Sequence, residues 1–404
     1  MKAGCAGCLV SSVSQRIVAC QGPIQLVTAV AVLRQRDLES PEGDETKGVS
    51  WNDYLVIMDL ATPVTQEIAF VKVLEQMARA LRPWKSVVHV KQPGLGESNS
   101  LGYRISAIEG LIGQNLDDVR EVYVVREWQA GNQLLFKAFP SATKICFGDS
   151  IGIYLAPTYM TPRVGILRSL VRRLKAAFMA DYENKRAPRE IEFPRVPADC
   201  YYLTLPKAFD PVPSANIRST NVALLQQVIT DLIPLLPDAV LSHLKPLLDG
   251  RRLVVVVGSN FSEQGLMTPH AEISAYVEYL SEQNLDSNSL VLLKPHPRDR
   301  VEKLRELEIA LSRIFQSVFT LSDDIGFFLP LETLLMNIRS FESMHGNIDV
   351  CTFSSACLAS KYILDITPRI GFGGRLVRKH FKASFVEARL NHERQLLKAC
   401  GQPI

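Results

Sequence analysis

No stretch of the chain runs to 18 apolar residues without a charge, so the sequence predicts no membrane-spanning helix. It contains no D-x-D pair, no H-x-x-x-H helix and no G-x-x-x-x-G-K-[ST] loop, so the usual motifs for metal-held nucleotides and P-loop chemistry are missing and no metal is expected. Net charge is low, +3 over 404 residues, too little to argue for a nucleic-acid partner. Paired cysteines are scarce: of eight, only Cys5 and Cys8 lie close together, and no second pair follows to complete a zinc site. Cys20, Cys146, Cys351 and Cys357 fall inside apolar patterns and read as reduced small hydrophobes, which suits a cytosolic protein. The apolar run of the first residues is broken by Ser11, Ser12, Ser14, Gln15 and Arg16, a poor signal peptide.

What is present is an alternation of strands and helices. Residues 1–15 read as a leader. From Arg16 to Cys20 runs a first strand, followed by the turn Gln21-Gly-Pro-Ile-Gln25 and a helix over 26–36, with Pro23 near its first turn. Strands are predicted at 54–58, 86–90, 121–125 and 144–147. A helix over 65–82 carries Ile68, Val71, Leu74, Met77, Ala78 and Leu81 as its apolar stripe. After residue 156 the alternation stops. It resumes with a strand at 201–205, taken as the opening of a second half that continues through Leu253–Val257, five consecutive apolar residues, to Asp349–Phe353. The domains expected are 16–156, an insert at 157–198, 199–375 and a helical tail at 376–404. The fold class is α/β, two Rossmann-like domains facing each other across a cleft, as in the GT-B glycosyltransferases.

Between Thr161 and Glu190 eight Lys/Arg stand against three Asp/Glu. Val164, Leu167, Leu170, Val171, Leu174 and Phe178 keep helical spacing, with Arg168, Arg172, Arg173 and Lys175 around them. A basic amphipathic helix over 161–180 either packs on its own domain with a solvated face or meets an anionic membrane surface. The second reading would make the protein peripheral on the inner face of the membrane.

Polar groups collect at the carboxyl ends of predicted strands, where open α/β sheets bind ligands. In Ser289-Leu-Val-Leu-Leu-Lys-Pro-His-Pro-Arg298 the strand stops at Pro295, and His296 is held between two prolines beside Lys294 and Arg298, a setting that suits a phosphate. Gly258-Ser259-Asn260 follows the buried run and offers N–H groups and small side chains to a phosphate or sugar, as do many loops of this composition. Ser354-Ser355 opens a helix, where free N–H groups and the dipole favour an anion; a plain N-cap accounts for one serine but not the second. Glu332, behind Pro330, is placed to hold ribose hydroxyls or simply to face the helix dipole. Gly148-Asp149-Ser150 puts a carboxylate among small residues: a general base for an acceptor hydroxyl, or a turn aspartate.

In this order the motifs resemble those of the bacterial GT-B sialyltransferases, most closely the alpha-2,8-polysialyltransferase family and its capsule and lipooligosaccharide relatives. The acidic motif is similar to Gly148-Asp149-Ser150, the HP motif to His296-Pro297, and the serine pair to Ser354-Ser355. The family's Pro-x-Gln turn is similar to Gly22-Pro23-Ile24-Gln25, and its Pro-x-Glu segment to Pro330-Leu331-Glu332. The resemblance implies inverting transfer of sialic acid from CMP-sialic acid to a glycan or glycolipid acceptor without a metal or other cofactor. Asp149 would be the base. His296, with Ser354 and Ser355, would stabilise the departing phosphate. Lys294 and Glu332 would hold cytidine and ribose, with Gly258, Ser259 and Asn260 also on the donor side and Pro23, Gln25 and Gly148 on the acceptor side. The motif departs from the family's in keeping one carboxylate, with Gly148 where a second would stand. Two alternatives stay open: a CDP-glycerol-type glycerophosphotransferase, which shares a Lys-Pro-His-Pro-like segment, and a non-catalytic GT-B protein that binds a nucleotide or glycan.

Overall fold

The computed structural model describes residues 13–39, 50–58, 66–90, 108–110, 112–113, 115–127, 129–148, 196–204, 216–321, 324–341 and 347–403. A first sheet is built from β1 (Val13–Cys20), β2 (Ser50–Met58), β3 (Ser86–Val90), β4 (Val119–Val124), β5 (Thr143–Gly148), β6 (Cys200–Leu203) and β7 (Ile217–Ser219). Its strands are all parallel, in the order β3-β2-β1-β4-β5-β6-β7. Helices α1 (Pro23–Glu39), α2 (Glu67–Leu81) and α3 (Ala130–Ala138) belong to this half. Then come α4 (Val222–Asp231) and α5 (Asp238–Leu248). The second sheet comprises β8 (Leu253–Val257), β9 (Leu290–Lys294), β10 (Ser317–Thr320), β11 (Ile348–Thr352) and β12 (Arg369–Ile370). It too is parallel, in the order β10-β9-β8-β11-β12. Around it lie α6 (Pro269–Glu282), α7 (Val301–Leu311), α8 (Asp324–Phe328), α9 (Leu331–Arg339), α10 (Ala356–Tyr362), α11 (Gly373–His380) and α12 (Val386–Ala399).

The apolar runs explain the layers. Alternate residues of a strand face opposite sides, and here both sides are buried. Ile17, Ala19, Tyr54, Val56, Val122 and Val124 join the core shared with Leu134, Leu135 and Phe136 of α3, while Val18, Leu55, Ile57 and Tyr123 pack under α1 and α2. In the second sheet Val254, Val256, Val291 and Leu293 pack with α6, while Val255, Leu253, Leu290 and Leu292 face the core that holds α4 and α9. Parallel sheets covered on both faces need such unbroken Val/Ile/Leu runs. At the far end from the site, Arg16 of β1 is buried, ion-paired to Asp37 at 2.6 Å and Glu121 at 3.0 Å, and stacked under Trp51. That network fixes the carboxyl end of α1 to the sheet.

Each sheet changes winding direction at one place, between β1 and β4 and between β8 and β11. The chain therefore has the GT-B fold, two Rossmann-type domains. They meet through α4. Gln226 Nε2 donates to Ile363 O at 2.7 Å, and Arg34 of α1 pairs with Asp231 at 2.7 Å. Phe70 of α2 meets Phe328 of α8 edge-on at 5.0 Å between centroids.

Three expectations are corrected. The strand predicted at 201–205 does not open the second half. Cys200–Leu203 extends the first sheet beside β5, with Asp199 N–H donating to Lys144 O at 2.8 Å, and β7 follows. Left uncovered, β5 would be a buried edge with unpaired backbone groups. The residues predicted as a leader overlap β1, which begins at Val13. The buried stripe of α2 is Phe70, Val73, Leu74, Met77, Ala78 and Leu81, and Ile68 is 84% exposed. Leu74, Met77, Ala78 and Leu81 set the phase, and stepping back along it reaches Phe70 rather than Ile68. Among the described residues no single helix is long and apolar enough to cross a membrane. Only a pair bent by 102°, α4 with its following turn and α5, meets that test together, and its apolar residues lie in the core. The basic helix expected over 161–180 lies outside the described residues, as do Cys5 and Cys8.

Candidate active site

The two switch points face the same space. A cavity of about 360 Å³ is lined from the first domain by Pro23, Ile24, Gln25 and Thr28 of α1, Val125 and Arg126 after β4, Gly148 at the end of β5 and Thr204 after β6. From the second domain come Val257 and Gly258 at the end of β8, Lys294 to Pro297 after β9, Phe328 to Glu332, and Ser354 to Ala356 after β11. Apart from Phe328 to Glu332, these segments are strand carboxyl ends or the loop or helix start beyond them, and Leu225 of α4 with Leu358, Ala359 and Ile363 completes the lining.

His296 is held by the turn it begins. Asp299 N–H donates to His296 O at 2.8 Å, and His296 N–H donates back to Asp299 Oδ2 at 2.7 Å. Pro297 takes the second position of that turn, where its fixed φ is favoured. Arg298 N–H donates to His296 Nδ1 at 3.1 Å, so Nδ1 is the acceptor and Nε2 carries the hydrogen. Burial, then the charges of Arg298, Lys303 and Lys294, push the imidazole down to about 3. His296 is therefore neutral and offers an N–H donor from Nε2.

Asp299 is itself buried, and burial pushes it up to about 7 against the pull of Lys303 and the His296 N–H. Lys303 sits among three carboxylates: Asp299 at 2.7 Å, Glu263 at 2.8 Å and Glu272 at 3.2 Å. The three carboxylates are near enough to each other to surround a metal ion, but the Lys303 ammonium already fills the position of the cation. Glu272 Oε2 also accepts from Ser262 N–H at 2.8 Å, so the loop after β8, α6 and the His296 turn form one tied unit. Gly258 completes it. Its N–H donates to Lys294 O at 2.8 Å, and a Cβ there would stand 2.8 Å from Asp299 Oδ2 and 3.1 Å from His296 N.

The remaining donor-side candidates divide. Lys294 is buried and its Nζ donates to Gly326 O at 3.0 Å and to Phe327 O. Glu332 is buried one residue into α9; burial raises its carboxyl, and its own N–H and Lys294 act the other way. Ser354 Oγ lies 3.5 Å from Ala356 N, a weak cap, and Ser355 makes no side-chain cap bond. Ser259 and Asn260 are buried and do not line the cavity; Ser259 N–H donates to Tyr276 Oη at 2.9 Å.

On the acceptor side Pro23 starts α1, and Gln25 Oε1 accepts from Gln21 N–H at 2.7 Å, closing the turn after β1. Gly148 adopts φ 137°, open to glycine and strained for other residues. Sequence reasoning missed Arg126. Its φ of 59° is left-handed, which costs a residue with a Cβ about 1–2 kcal/mol. Gln129 N–H and Asn132 Nδ2 both donate to Arg126 O, at 3.1 and 3.0 Å, and hold it there. Asp149 and Ser150 lie outside the described residues, immediately after the cavity-lining Gly148.

The family profile described as Alpha-2,8-polysialyltransferase (POLYST) matches residues 16–367. The chain belongs to the alpha-2,8-polysialyltransferase family. It is accordingly a glycosyltransferase, and the resemblance read from its motifs holds across nearly the whole chain. No curated protein matches it. Among solved structures it is similar to S. aureus MnaA with UDP, at 11% identity and a TM-score of 0.48, covering 96% of this chain and 90% of that one. It is also similar to the UDP-N-acetylglucosamine 2-epimerase of Rickettsia bellii, at 10% identity and a TM-score of 0.46, covering 95% and 88%. The UDP-GlcNAc 2-epimerase of Methanocaldococcus jannaschii in complex with UDP-GlcNAc and UDP gives 10%, 0.45, 95% and 99%. Likenesses this distant say nothing of chemistry. Residues 148–152 also spell G-x-S-x-G, the elbow pattern of α/β-hydrolases. The segment lies within the residues the family profile matches.

Proposed function

We propose that the protein transfers sialic acid from CMP-sialic acid to a glycan acceptor, with inversion and without a metal. The observation that carries this reading is the meeting of the two switch points on one cavity, with His296, Glu332, Ser354 and Ser355 on one wall and Gly148, the residue before Asp149, on the other. In the proposed reaction Asp149 takes the proton of the acceptor hydroxyl as its oxygen attacks the anomeric carbon. The bond from that carbon to the phosphate oxygen breaks, and its electron pair leaves with CMP. The His296 Nε2–H and the hydroxyls of the serine pair donate to the phosphate as its charge grows; preorganised donors of this kind lower a barrier because they need no reorganisation. Glu332 suits ribose hydroxyls, which are donors to a carboxylate. The reading without metal is supported by the lining itself: among the described residues Glu332 is its one carboxylate.

Calorimetry of CMP binding in metal-free buffer tests this. Wild type should bind saturably, and His296→Ala should bind roughly 10- to 100-fold more weakly, the loss of one hydrogen bond to a charged group. Absence of binding to CMP, CDP and CMP-sialic acid in wild type would sink the reading. Consumption of CDP-glycerol in place of CMP-sialic acid would replace it with glycerophosphate transfer.

A further inference from the structure

We propose that Arg126 is the anchor for a sugar carboxylate on the first-domain wall of the cavity. The inference rests on the sialyl-transfer reading and adds to it the residue that recognises the acidic sugar. Three observations converge on it. Arg126 is half-buried and lines the cavity. Among the described residues its guanidinium has no hydrogen bond, ion pair or aromatic partner. Arg16, Arg34, Arg82, Arg218, Arg252, Arg369 and Arg389 all have carboxylate partners. Its backbone is held in a left-handed conformation that arginine rarely adopts, by the buried Asn132, whose Nδ2 bonds the carbonyls of both Val125 and Arg126. Strained residues of this kind persist where the surroundings fix them, and they gather at ligand sites.

The chemistry selects the ligand. A half-buried guanidinium with no partner among the described residues is free to take an anion, and its planar fork matches a carboxylate with two parallel bonds. The phosphate of the donor already has its donors on the opposite wall, in His296 and the serine pair. What remains anionic in the proposed reactants is the carboxylate of the sugar, which the donor carries and which an acceptor ending in an acidic sugar also carries. Both would lie near the first-domain wall, next to Gly148, when the acceptor hydroxyl approaches the anomeric carbon.

The test uses Arg126→Gly, which keeps the left-handed turn without strain, and Arg126→Lys, which keeps the charge without the fork. Binding of CMP and of CMP-sialic acid is measured by calorimetry. The KM for a sialylated acceptor is compared with that for the same acceptor with its carboxylate converted to an amide. Wild type should prefer the acid over the amide by roughly 10- to 100-fold. In Arg126→Gly the preference should fall to near one, in Arg126→Lys it should be intermediate, and CMP affinity should stay within about twofold. A loss confined to CMP-sialic acid, with CMP unchanged, assigns the carboxylate to the donor, and a loss confined to the acid-to-amide preference assigns it to the acceptor. If both persist in Arg126→Gly while CMP still binds, the anchor is wrong and the sialyl-transfer reading stands. If wild type does not bind CMP-sialic acid, the two fall together.

Discussion

At His296 two titrating groups one turn apart work in opposite directions. The imidazole is pushed from 6.5 down to about 3, chiefly by burial. A histidine whose folded pKa is depressed binds fewer protons folded than unfolded between those values, so its contribution to stability is present above 6.5 and lost as pH falls. Asp299 is pushed from 3.8 up to about 7, also chiefly by burial. A carboxyl raised in this way contributes stability that is present below 3.8 and lost as pH rises through 7. Across pH 4–6.5 the two slopes oppose, and the wild-type turn should be nearly indifferent to pH. Single substitutions should unmask each. Relative to wild type, Asp299→Asn should make stability rise more steeply with pH in that window, and His296→Gln should make it fall, each by at most about 1.4 kcal/mol per pH unit. Urea melts at pH 4.5, 5.5 and 6.5 read this directly; two differences of the same sign would refute the opposed pair. The sequence makes the histidine visible, because prolines on both sides mark a rigid turn. It gives no sign that Asp299 folds back on His296 N–H, which depends on the turn's backbone conformation, or that Lys303 meets Glu263 and Glu272, since those contacts join separate elements. Arg126 is hidden for a related reason: nothing in its neighbours' residue types specifies a positive φ at a non-glycine position.

At the scale of elements the site depends on how closely β8 and β9 can end together. Gly258 reads in the sequence as part of a polar loop that could wrap a phosphate or a sugar. In the structure it is a spacer: its missing side chain lets the His296 turn and the Asp299 carboxylate press against the end of β8. Gly258→Ala would put a methyl group 2.8 Å from Asp299 Oδ2 and close to the backbone at His296. One of the two strand ends must then move. Overpacking of this kind typically costs about 1–3 kcal/mol, and here it displaces the groups proposed to meet the phosphate. The expected result is a lowered melting temperature together with weaker CMP binding. If CMP affinity were unchanged, the turn would be tolerant of its support. The serine pair was easier to read, since a strand running into two hydroxyls and then a helix is a local pattern. The assignment of β6 and β7 to the first sheet was not. These strands are short, they follow the basic insert, and which sheet a strand joins is set by the edge it covers rather than by its own composition.

For the whole molecule, the division of labour between the domains makes its own prediction. The groups proposed to hold the nucleotide belong to the second domain, and the groups proposed to receive the acceptor belong to the first, so transfer depends on the contact between them while CMP binding does not. Phe70 is where that contact can be loosened without touching the cavity. It is 2% exposed, sits on α2 of the first domain, and packs edge-on against Phe328, which lines the cavity from the second domain. Phe70→Leu keeps an apolar side chain but loses the aromatic pair, which is worth about 0.5–1.5 kcal/mol beyond its buried area. If the two walls must be held in register, kcat/KM for the proposed sialyl transfer should fall by roughly three- to tenfold, since that much energy is a factor of this order. CMP affinity measured on the same preparation should stay within about twofold. Equal losses in both would mean that Phe70 acts on the second domain's own packing, and that the cleft is not set by this contact. A fall in transfer alone would show that the geometry between the two switch points, and not only the residues on each, is part of the catalytic site.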